Sequence, residues 1–509
     1  MSGNRLLAVL VVTALVTAGC GAARKSEAPK TQSPSYTSAP SRSQDYGPPA
    51  SPSREAMPAQ PAPGGMYYQD AGTNPAVATE RQSVSTFGVD VDTASYTLVR
   101  GHLNRDMLPP PEAVRVEEFI NYFPQRYPAT SQPVALYVEG GPNPFRPGMH
   151  LVQVGLKARD VQRAERKPAV LTFVIDVSGS MNMENRLGLV KRTLYQLLDQ
   201  LDSDDQVGVV VFGTTGRVLM QHTSDKNQIR RAIERLTPEG STNAAQGLQI
   251  GYELADRAFL KGGTNRVILC SDGVANVGLT SADAILRTIE ESKSRGITLT
   301  TVGFGMGNHN DALMEQLADK GDGQYAYVDT LDEARRVFVE QLTGTLQLMA
   351  KDVKIQVEFR PEEVLSYRLV GYENRVMSNQ DFRNDARDAG EMGAGHTVTA
   401  LYEVQLRGDG AELGRVSVRY KEPDSAEVVE LSMPISRRAI TGQASARLRW
   451  TASVAEFAGL LKETPWAVES SLRDVLEEAR LAAADLDWPE QHRDAVGLME
   501  KALSLRQGR

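Results

Sequence analysis

The sequence has few of the residues and motifs on which common enzyme classes depend. Only two cysteines, Cys20 and Cys270, occur among 509 residues, which excludes a disulfide-stabilised scaffold. The six histidines are scattered and form no HExxH pair, which argues against a zinc protease. A GxSxG nucleophile elbow and a GxxxxGK[ST] phosphate loop are also absent, so nothing indicates a serine hydrolase or a P-loop nucleotide-binding enzyme.

Positive charge and long apolar runs are also limited. The formal net charge is −8, which does not favour a nucleic-acid partner. The N-terminal apolar run, Leu6 to Val16, is too short to span a bilayer. It follows Arg5 and has the length of the apolar region of a secretory signal. We therefore expect an exported protein.

The residues after this run, "LVTAGC", resemble the lipobox of bacterial lipoproteins, whose cysteine is acylated. The resemblance implies a signal peptide over residues 1–19, a lipid anchor on Cys20 and an extracytoplasmic position in the bacterial cell envelope. Gly21 follows the cysteine in place of aspartate, which favours the outer membrane if the cell has one. An ordinary signal peptide with an incidental cysteine is the alternative.

Composition divides the chain before residue 169 into two parts. Residues 20–85 are rich in Pro, Ser, Ala and Gln and poor in large apolar residues, which predicts a disordered tether. An N-terminal module over residues 86–160 follows, with strands and two helices. Asp90 and Asp92 resemble the start of a calcium loop, but Ala94 stands at the next ligand position, so we reject calcium binding there.

Residues 169–348 alternate apolar strand-like runs with helical stretches. Runs such as "VLTFVID", "QVGVVVF" and "RVILCS" are apolar throughout, which is typical of parallel strands covered by helices on both faces. The run "RVLMQHT" follows the short "GTTG" and predicts an antiparallel edge hairpin. We predict a Rossmann-like α/β domain with a central, mostly parallel sheet.

Residues 350–509 change to another pattern. Apolar residues alternate at period two from Val353 to about Met433, which predicts an antiparallel β-sandwich. Helical periodicity returns from about Ser445, where Trp450, Trp466 and Trp488 are the predicted core anchors. The C-terminal part should therefore combine a sandwich with helices.

Oxygen-bearing side chains gather at the predicted strand ends of the α/β domain. The stretch "DVSGSM" contains Asp176, Ser178 and Ser180; "GSTN" contains Thr242; and "CSDG" contains Asp272. Ligands of open α/β sheets bind at the carboxyl ends of the strands, so these loops are placed to converge. Oxygen donors suit a hard cation such as Mg²⁺ and argue against zinc.

These three motifs, in this order, resemble the von Willebrand factor A (VWA) domain and its metal-ion-dependent adhesion site. The resemblance implies that Ser178 and Ser180 bind the metal directly and that Thr242 does so directly or through water. Asp176 and Asp272 would act mostly through waters and by orienting the hydroxyls. Mg²⁺ is the expected ion, with Mn²⁺ and Ca²⁺ as alternatives, and a partner's Asp or Glu carboxylate would complete its coordination.

The flanking segments "FGVDVDTASYTLVR" and "YRLVGYENR" resemble a subgroup of bacterial VWA lipoproteins with an extra N-terminal module and an uncharacterised C-terminal domain. The predicted function is a membrane-anchored, metal-dependent protein-binding module without catalytic activity. The alternatives are a structural or assembly component of an envelope complex with a non-essential metal site, an envelope hydrolase, and a subunit of an intracellular ATPase or chelatase complex.

Two features of the sequence bear on the intracellular-complex and hydrolase alternatives. The signal segment argues against an intracellular complex. The glycine-rich stretch "DAGEMGAGHT", which contains Asp388, Glu391 and His396, is either a second functional loop or a mobile connector.

Overall fold

The computed structural model describes residues 66–183, 186–273, 279–307, 309–341, 347–487 and 490–508. The predicted signal peptide over residues 1–19, the predicted lipidation site Cys20 and the predicted anchor Trp488 lie outside these described residues. No helix in the described ranges is long and apolar enough to cross a bilayer.

The strands and helices are numbered here in chain order. The strands are β1 (Val77–Ala78), β2 (Val84–Gly88), β3 (Val134–Pro142), β4 (His150–Ala158), β5 (Ala169–Asp176), β6 (Gln206–Phe212), β7 (Gly216–Thr223), β8 (Thr264–Ser271), β9 (Ile297–Phe304), β10 (Tyr325–Val328), β11 (Leu348–Phe359), β12 (Val364–Val370), β13 (Val376–Met377), β14 (Gly390–Gly393), β15 (Thr397–Leu406), β16 (Glu412–Lys421) and β17 (Val428–Ser436). The helices are α1 (Ala94–Leu103), α2 (Val116–Tyr122), α3 (Leu187–Gln200), α4 (Lys226–Glu234), α5 (Ala244–Arg257), α6 (Leu279–Ser294), α7 (Asp311–Lys320), α8 (Leu331–Arg335), α9 (Arg437–Thr441), α10 (Ala446–Leu461), α11 (Leu472–Asp485) and α12 (Glu490–Gln507).

The middle of the chain forms a six-stranded sheet in the order β10-β9-β8-β5-β6-β7. Neighbouring strands are parallel except β7, which pairs antiparallel with β6 as the short "GTTG" connection predicts. Strands β5 and β9 are buried at every residue because helices cover both faces. One face packs against α3 and α4 and the other against α5 and α7. The predicted Rossmann-like α/β fold is confirmed.

Two further sheets are antiparallel and enclose a common core. Their strand orders are β1-β12-β15-β4-β3 and β13-β2-β11-β16-β17, and β14 also pairs with β11. Apolar side chains from both sheets, among them Phe87, Val154, Val357 and Tyr402, form one buried cluster. This is the antiparallel sandwich that the period-two pattern predicts.

The structure corrects the predicted division between a module at 86–160 and a C-terminal domain at 350–509. Strand β2 lies between β13 and β11, and β4 lies between β3 and β15, so both segments supply strands to the same sheets. Strand β4 is almost entirely buried, and its backbone groups need hydrogen-bond partners on both sides. The later segment supplies the second partner. The α/β domain is thus inserted between β4 and β11 of one sandwich.

Order also begins earlier than residue 85, where the predicted tether ends. The backbone N–H of Tyr67 donates to the carbonyl of His309 at 2.9 Å, and β1 pairs with β12. The indole N–H of Trp466 donates to the carbonyl of Asn74 at 3.1 Å. Composition alone missed this because the partners are distant in sequence. The rest of the predicted tether, residues 20–65, lies outside the described residues.

The C-terminal helices α10, α11 and α12 pack against α1 and α2 around a third apolar core. Trp450 is 2% exposed at its centre, which confirms one predicted anchor. Trp466 is only half-buried and lies 5.1 Å beneath the guanidinium of Arg368, so it bridges the helices and the sandwich.

The glycine-rich stretch around residues 387–396 is held against the α/β domain. Asp388 pairs with Lys293 of α6, and the ring of His396 lies 3.2 Å from the side-chain nitrogen of Gln324. Residues Gly390–Gly393 form β14. The stretch is therefore a connector packed between sandwich and α/β domain.

Candidate metal centre

The candidate site lies where two adjacent parallel strands end. Asp176 is the last residue of β5, and Asp272 follows the last residue of β8. These strands are paired in register, with Ile175 opposite Cys270, so their carboxyl ends meet at one edge of the sheet. Both aspartates are buried, at 0% and 3% exposure, respectively. The predicted convergence of these two loops is present in the structure.

The loop after β5 turns back on itself through hydrogen bonds to Asp176. The backbone N–H of Ser178 donates to Asp176 Oδ1 at 2.8 Å, and a short 3-10 turn, Gly179–Asn182, follows. This turn brings Ser178 Oγ within 3.0 Å of Ser180 Oγ. Ser178 is buried and Ser180 is exposed, so the pair of hydroxyls extends from the interior to the surface.

The two strand ends are joined through Ser180. Its hydroxyl donates to Asp272 Oδ1 at 3.0 Å. Ser178, Ser180 and Asp272 therefore form one continuous hydrogen-bonded row of oxygen atoms, reached from solvent at Ser180.

The loop that contains Thr242 lies against the first loop. The backbone N–H of Gly179 donates to the carbonyl of Gly240 at 3.0 Å, and that of Glu239 donates to Val177. Thr242 is half-buried, and the N-cap of α5 is Asn243, whose side chain accepts from Gln246 N–H. Thr242 is therefore not the N-cap of α5. Among the hydrogen bonds of the described residues, none joins its side chain to the two serines.

Two residues of the site were missed from the sequence. Ser271 donates through its hydroxyl to Asp176 Oδ2 at 2.7 Å, so both oxygens of that carboxylate are engaged. Arg186 pairs with Asp272 Oδ2. Ser271 could have been predicted from the sequence because it stands next to Asp272 in "CSDG". Arg186 belongs to no motif, and only the folded structure shows that it lies at the site.

Burial controls the electrostatics of Asp176. Loss of solvent raises the pKa of this carboxyl to about 6, although hydrogen bonds from Ser178 and Ser271 oppose the rise. Because its two oxygens already accept bonds, Asp176 is placed to orient the first loop.

The donor set fits a hard divalent cation. The hydroxyls of Ser178 and Ser180, 3.0 Å apart, and the carboxylate of Asp272 are oxygen donors facing one another. In the part of the chain that the structure describes, no histidine hydrogen-bonds either serine; the ring of His309 bonds the hydroxyl of Tyr325 instead.

A second carboxylate group lies at the junction of α2, α7 and the segment after β2. Oxygens of Asp90, Glu118 and Glu315 lie within 4.8 Å of one another, close enough to hold an ion. Arg115 pairs with both glutamates, and Arg375 pairs with Asp90 at 3.1 Å. Guanidinium groups therefore already balance part of this negative charge.

Models of known families match three consecutive parts of the chain. The model described as von Willebrand factor matches residues 63–153, von Willebrand factor type A domain matches 171–341, and uncharacterized protein YfbK, C-terminal, matches 344–505. The uncharacterized protein YfbK of Escherichia coli (strain K12) is 35% identical over 454 residues, which are 83% of this chain and 79% of that protein. The chain belongs to the YfbK family of von Willebrand factor type A proteins.

More distant relatives share smaller parts of the chain. The uncharacterized protein sll0103 of Synechocystis sp. is 28% identical over 297 residues, 56% of this chain and 68% of that one. Among solved structures, a von Willebrand factor type A protein from Catenulispora acidiphila is 17% identical, covers 71% of this chain and 90% of its own, and has a TM-score of 0.44. The family assignment confirms the predicted resemblance to von Willebrand factor A proteins with an uncharacterised C-terminal domain. A type A domain over residues 171–341 favours a protein-interaction or adhesion role.

Proposed function

We propose that this YfbK-family protein binds a protein partner through a divalent cation held at the ends of β5 and β8. The observation that carries the proposal is the row of oxygens from Ser178 through Ser180 to Asp272, which opens to solvent at Ser180. Such a row provides several ligands on one side and leaves the outward side free for a partner.

Each residue has a distinct part in this proposal. Ser178 and Ser180 would contact the cation directly, and Thr242, which no helix cap occupies, would do so directly or through water. Asp272 would accept from Ser180 and from cation-bound water, and Asp176 would hold the first loop through Ser178 and Ser271. When bound, the cation supplies an incompletely neutralised positive charge that attracts an Asp or Glu carboxylate. Mg²⁺ is the first choice, with Mn²⁺ and Ca²⁺ as alternatives.

We place the protein in the bacterial cell envelope, with the folded part extracytoplasmic. The support is the N-terminal sequence, with a signal-like run before Cys20 and a Pro- and Ser-rich segment after it. A lipid on Cys20 would anchor the chain to the membrane, the outer one if the cell has two.

Cation binding is the first test. Mn²⁺ titrated into the purified wild-type protein should give one binding isotherm that Mg²⁺ displaces. Ser180→Ala should weaken it, whereas Ser203→Ala, an exposed serine in the loop between α3 and β6, should leave it unchanged. A wild-type protein that binds neither ion would contradict the proposal.

Partner binding is the second test. Envelope extract should be passed over immobilised protein with Mg²⁺, with EDTA, and with EDTA followed by excess Mg²⁺. A partner of the metal site should be retained in the first and third conditions only, and by Ser203→Ala but not by Ser180→Ala or Asp176→Ala. Proteins retained equally in every condition would instead support the structural-component alternative, in which the metal site is not needed.

A further inference from the structure

Arg186 places a fixed positive charge directly behind the candidate metal site. The residue precedes α3 and is 6% exposed. One guanidinium nitrogen, Nη1, donates to the carbonyl of Ser180 at 2.8 Å and pairs with Asp272 Oδ2. The other, Nη2, donates to the carbonyl of Met306 at 2.8 Å. The arginine therefore contacts the first loop, the β8 loop and the β9 loop together.

The backbone of the β9 loop is shaped to admit this side chain. Gly305 has a φ of +73°, and a Cβ there would come within 2.5 Å of Arg186 Cγ and Nε. Any larger residue would be both strained and in collision with the arginine. The position of Arg186 is thus built into the fold and does not depend on a freely moving surface side chain.

The charge of Arg186 alters the balance of the site. Asp272 Oδ1 accepts from Ser180, while its Oδ2 is already paired with a guanidinium. Of the two carboxylates near a cation held by the serines, Asp272 is thus paired with Arg186, whereas Asp176 has no cationic partner in the ion pairs of the described residues. Less negative charge around a cation weakens its binding but leaves it with more net charge for an incoming carboxylate.

We propose that the positive charge of Arg186 is part of this site and neutralises Asp272. The site therefore binds the divalent cation less tightly, and the bound cation attracts a carboxylate partner more strongly. The inference rests on the proposed function, because it concerns the same site. Arg186 acts through Asp272 and the bound ion, and it is therefore a positioning residue that also sets charge.

The test separates the charge of Arg186 from its hydrogen bonds. Arg186→Gln removes the charge and retains a donor, whereas Arg186→Lys retains the charge and loses the planar fork. We expect Arg186→Gln to bind Mn²⁺ about tenfold more tightly than wild type, which corresponds to about 1.4 kcal/mol. Arg186→Lys should bind Mn²⁺ within about threefold of wild type, because the Coulomb repulsion remains.

Carboxylate binding should change in the opposite direction. Acetate, titrated into each Mn²⁺-loaded protein, displaces a coordinated water and lowers the paramagnetic relaxation of water protons. About tenfold more acetate should be needed for Arg186→Gln than for wild type, and Arg186→Lys should resemble wild type. If Arg186 had a purely structural role, Arg186→Gln would bind both Mn²⁺ and acetate more weakly than wild type, and Arg186→Lys would not restore the binding of either.

Arg266→Met is the matched control. Arg266 is a buried arginine of β8, 4% exposed, whose Nε donates to Thr298. It lies five residues before Ser271, about 17 Å along the strand, so its removal should leave both titrations unchanged. If Arg186→Gln does not fold, Gly305→Ala provides a second route, since its Cβ displaces the guanidinium without deleting it, and it should also tighten Mn²⁺ binding.

The outcomes are distinguishable. A wild-type protein that binds no Mn²⁺ overturns the proposed function. A wild-type protein that binds Mn²⁺ with the same affinity as Arg186→Gln, or one in which the lysine and glutamine variants change alike, overturns the role of Arg186 while the metal site stands.

Discussion

A buried glutamate at the junction of α2 and α7 should make the stability of this protein depend on pH. Glu118 is 0% exposed; its carboxylate accepts from Ser95 N–H at 2.8 Å and pairs with Arg115. Burial raises the pKa of Glu118 to about 8, although Arg115 opposes the rise. Burial also raises the pKa of Glu315, which lies across the junction on α7, to about 7. The folded protein therefore holds protons here that the unfolded chain has already released.

The sign and size of the effect follow from this difference. A raised pKa gives a contribution that is fully present below the ordinary value of 4.5 and is lost as the pH rises through about 8. From pH 6 to pH 8 the glutamate of the unfolded chain stays ionised, while folded Glu118 passes from protonated to half-ionised. The free energy of unfolding should fall by about 2 kcal/mol over this interval on account of Glu118.

The assay compares wild type with Glu118→Gln, which cannot titrate. Thermal unfolding of both chains at constant ionic strength, at about pH 6, 7 and 8, measures how each midpoint changes. The wild-type midpoint should fall by a few degrees more than that of the variant. Contributions from distant histidines and carboxylates cancel in the comparison because both chains share them, whereas the neighbouring Asp90 and Glu315 titrate together with Glu118 and belong to the measured difference. The same pH dependence in both chains would refute a protonated Glu118.

Three further predictions follow from the site and the fold. Ser180→Ala should weaken Mn²⁺ binding by about tenfold or more, measured by calorimetry, with little loss of stability because Ser180 is exposed. Gly155→Ala should lower the free energy of unfolding in urea by about 1–3 kcal/mol, since its Cβ would collide with the ring of Tyr127, and the same substitution should cost less in a Tyr127→Ala chain than in wild type. A chain that begins at residue 66 should unfold at the wild-type temperature, whereas one that begins at residue 90 loses β2 from between β13 and β11 and should unfold at a much lower temperature.

Local patterns predicted the α/β domain well because its determinants are close together in sequence. Each parallel strand of the sheet is an apolar run such as "VLTFVID", and each connection between parallel strands contains a helix, so the parallel order follows from short-range information. The aspartates at the ends of β5 and β8 could be identified for the same reason. Their convergence required only that parallel strands end at the same edge.

The organisation of the flanking segments could not be predicted in this way. The sequence around β2 and β4 contains no sign that their pairing partners lie elsewhere. Each nevertheless pairs with a strand of the C-terminal segment more than two hundred positions later. The order of the last part of the predicted tether could not be predicted for the same reason. Tyr67 and Asn74 form hydrogen bonds with residues that are distant in sequence and close only in the folded chain. Periodicity reports which face of a strand is buried but does not name its neighbour.

The sequence alone thus determined which side chains gather at the strand ends: hydroxyl and carboxylate oxygens, the ligand type on which the proposed cation site rests. Only the tertiary structure decided what surrounds those donors. In the folded chain Ser271 donates a hydrogen bond to Asp176, and Arg186 forms an ion pair with Asp272. Asn243, and not Thr242, caps helix α5. The physical reason is that ligand type is a property of single residues, whereas the charge at a site depends on every group that the fold packs against it.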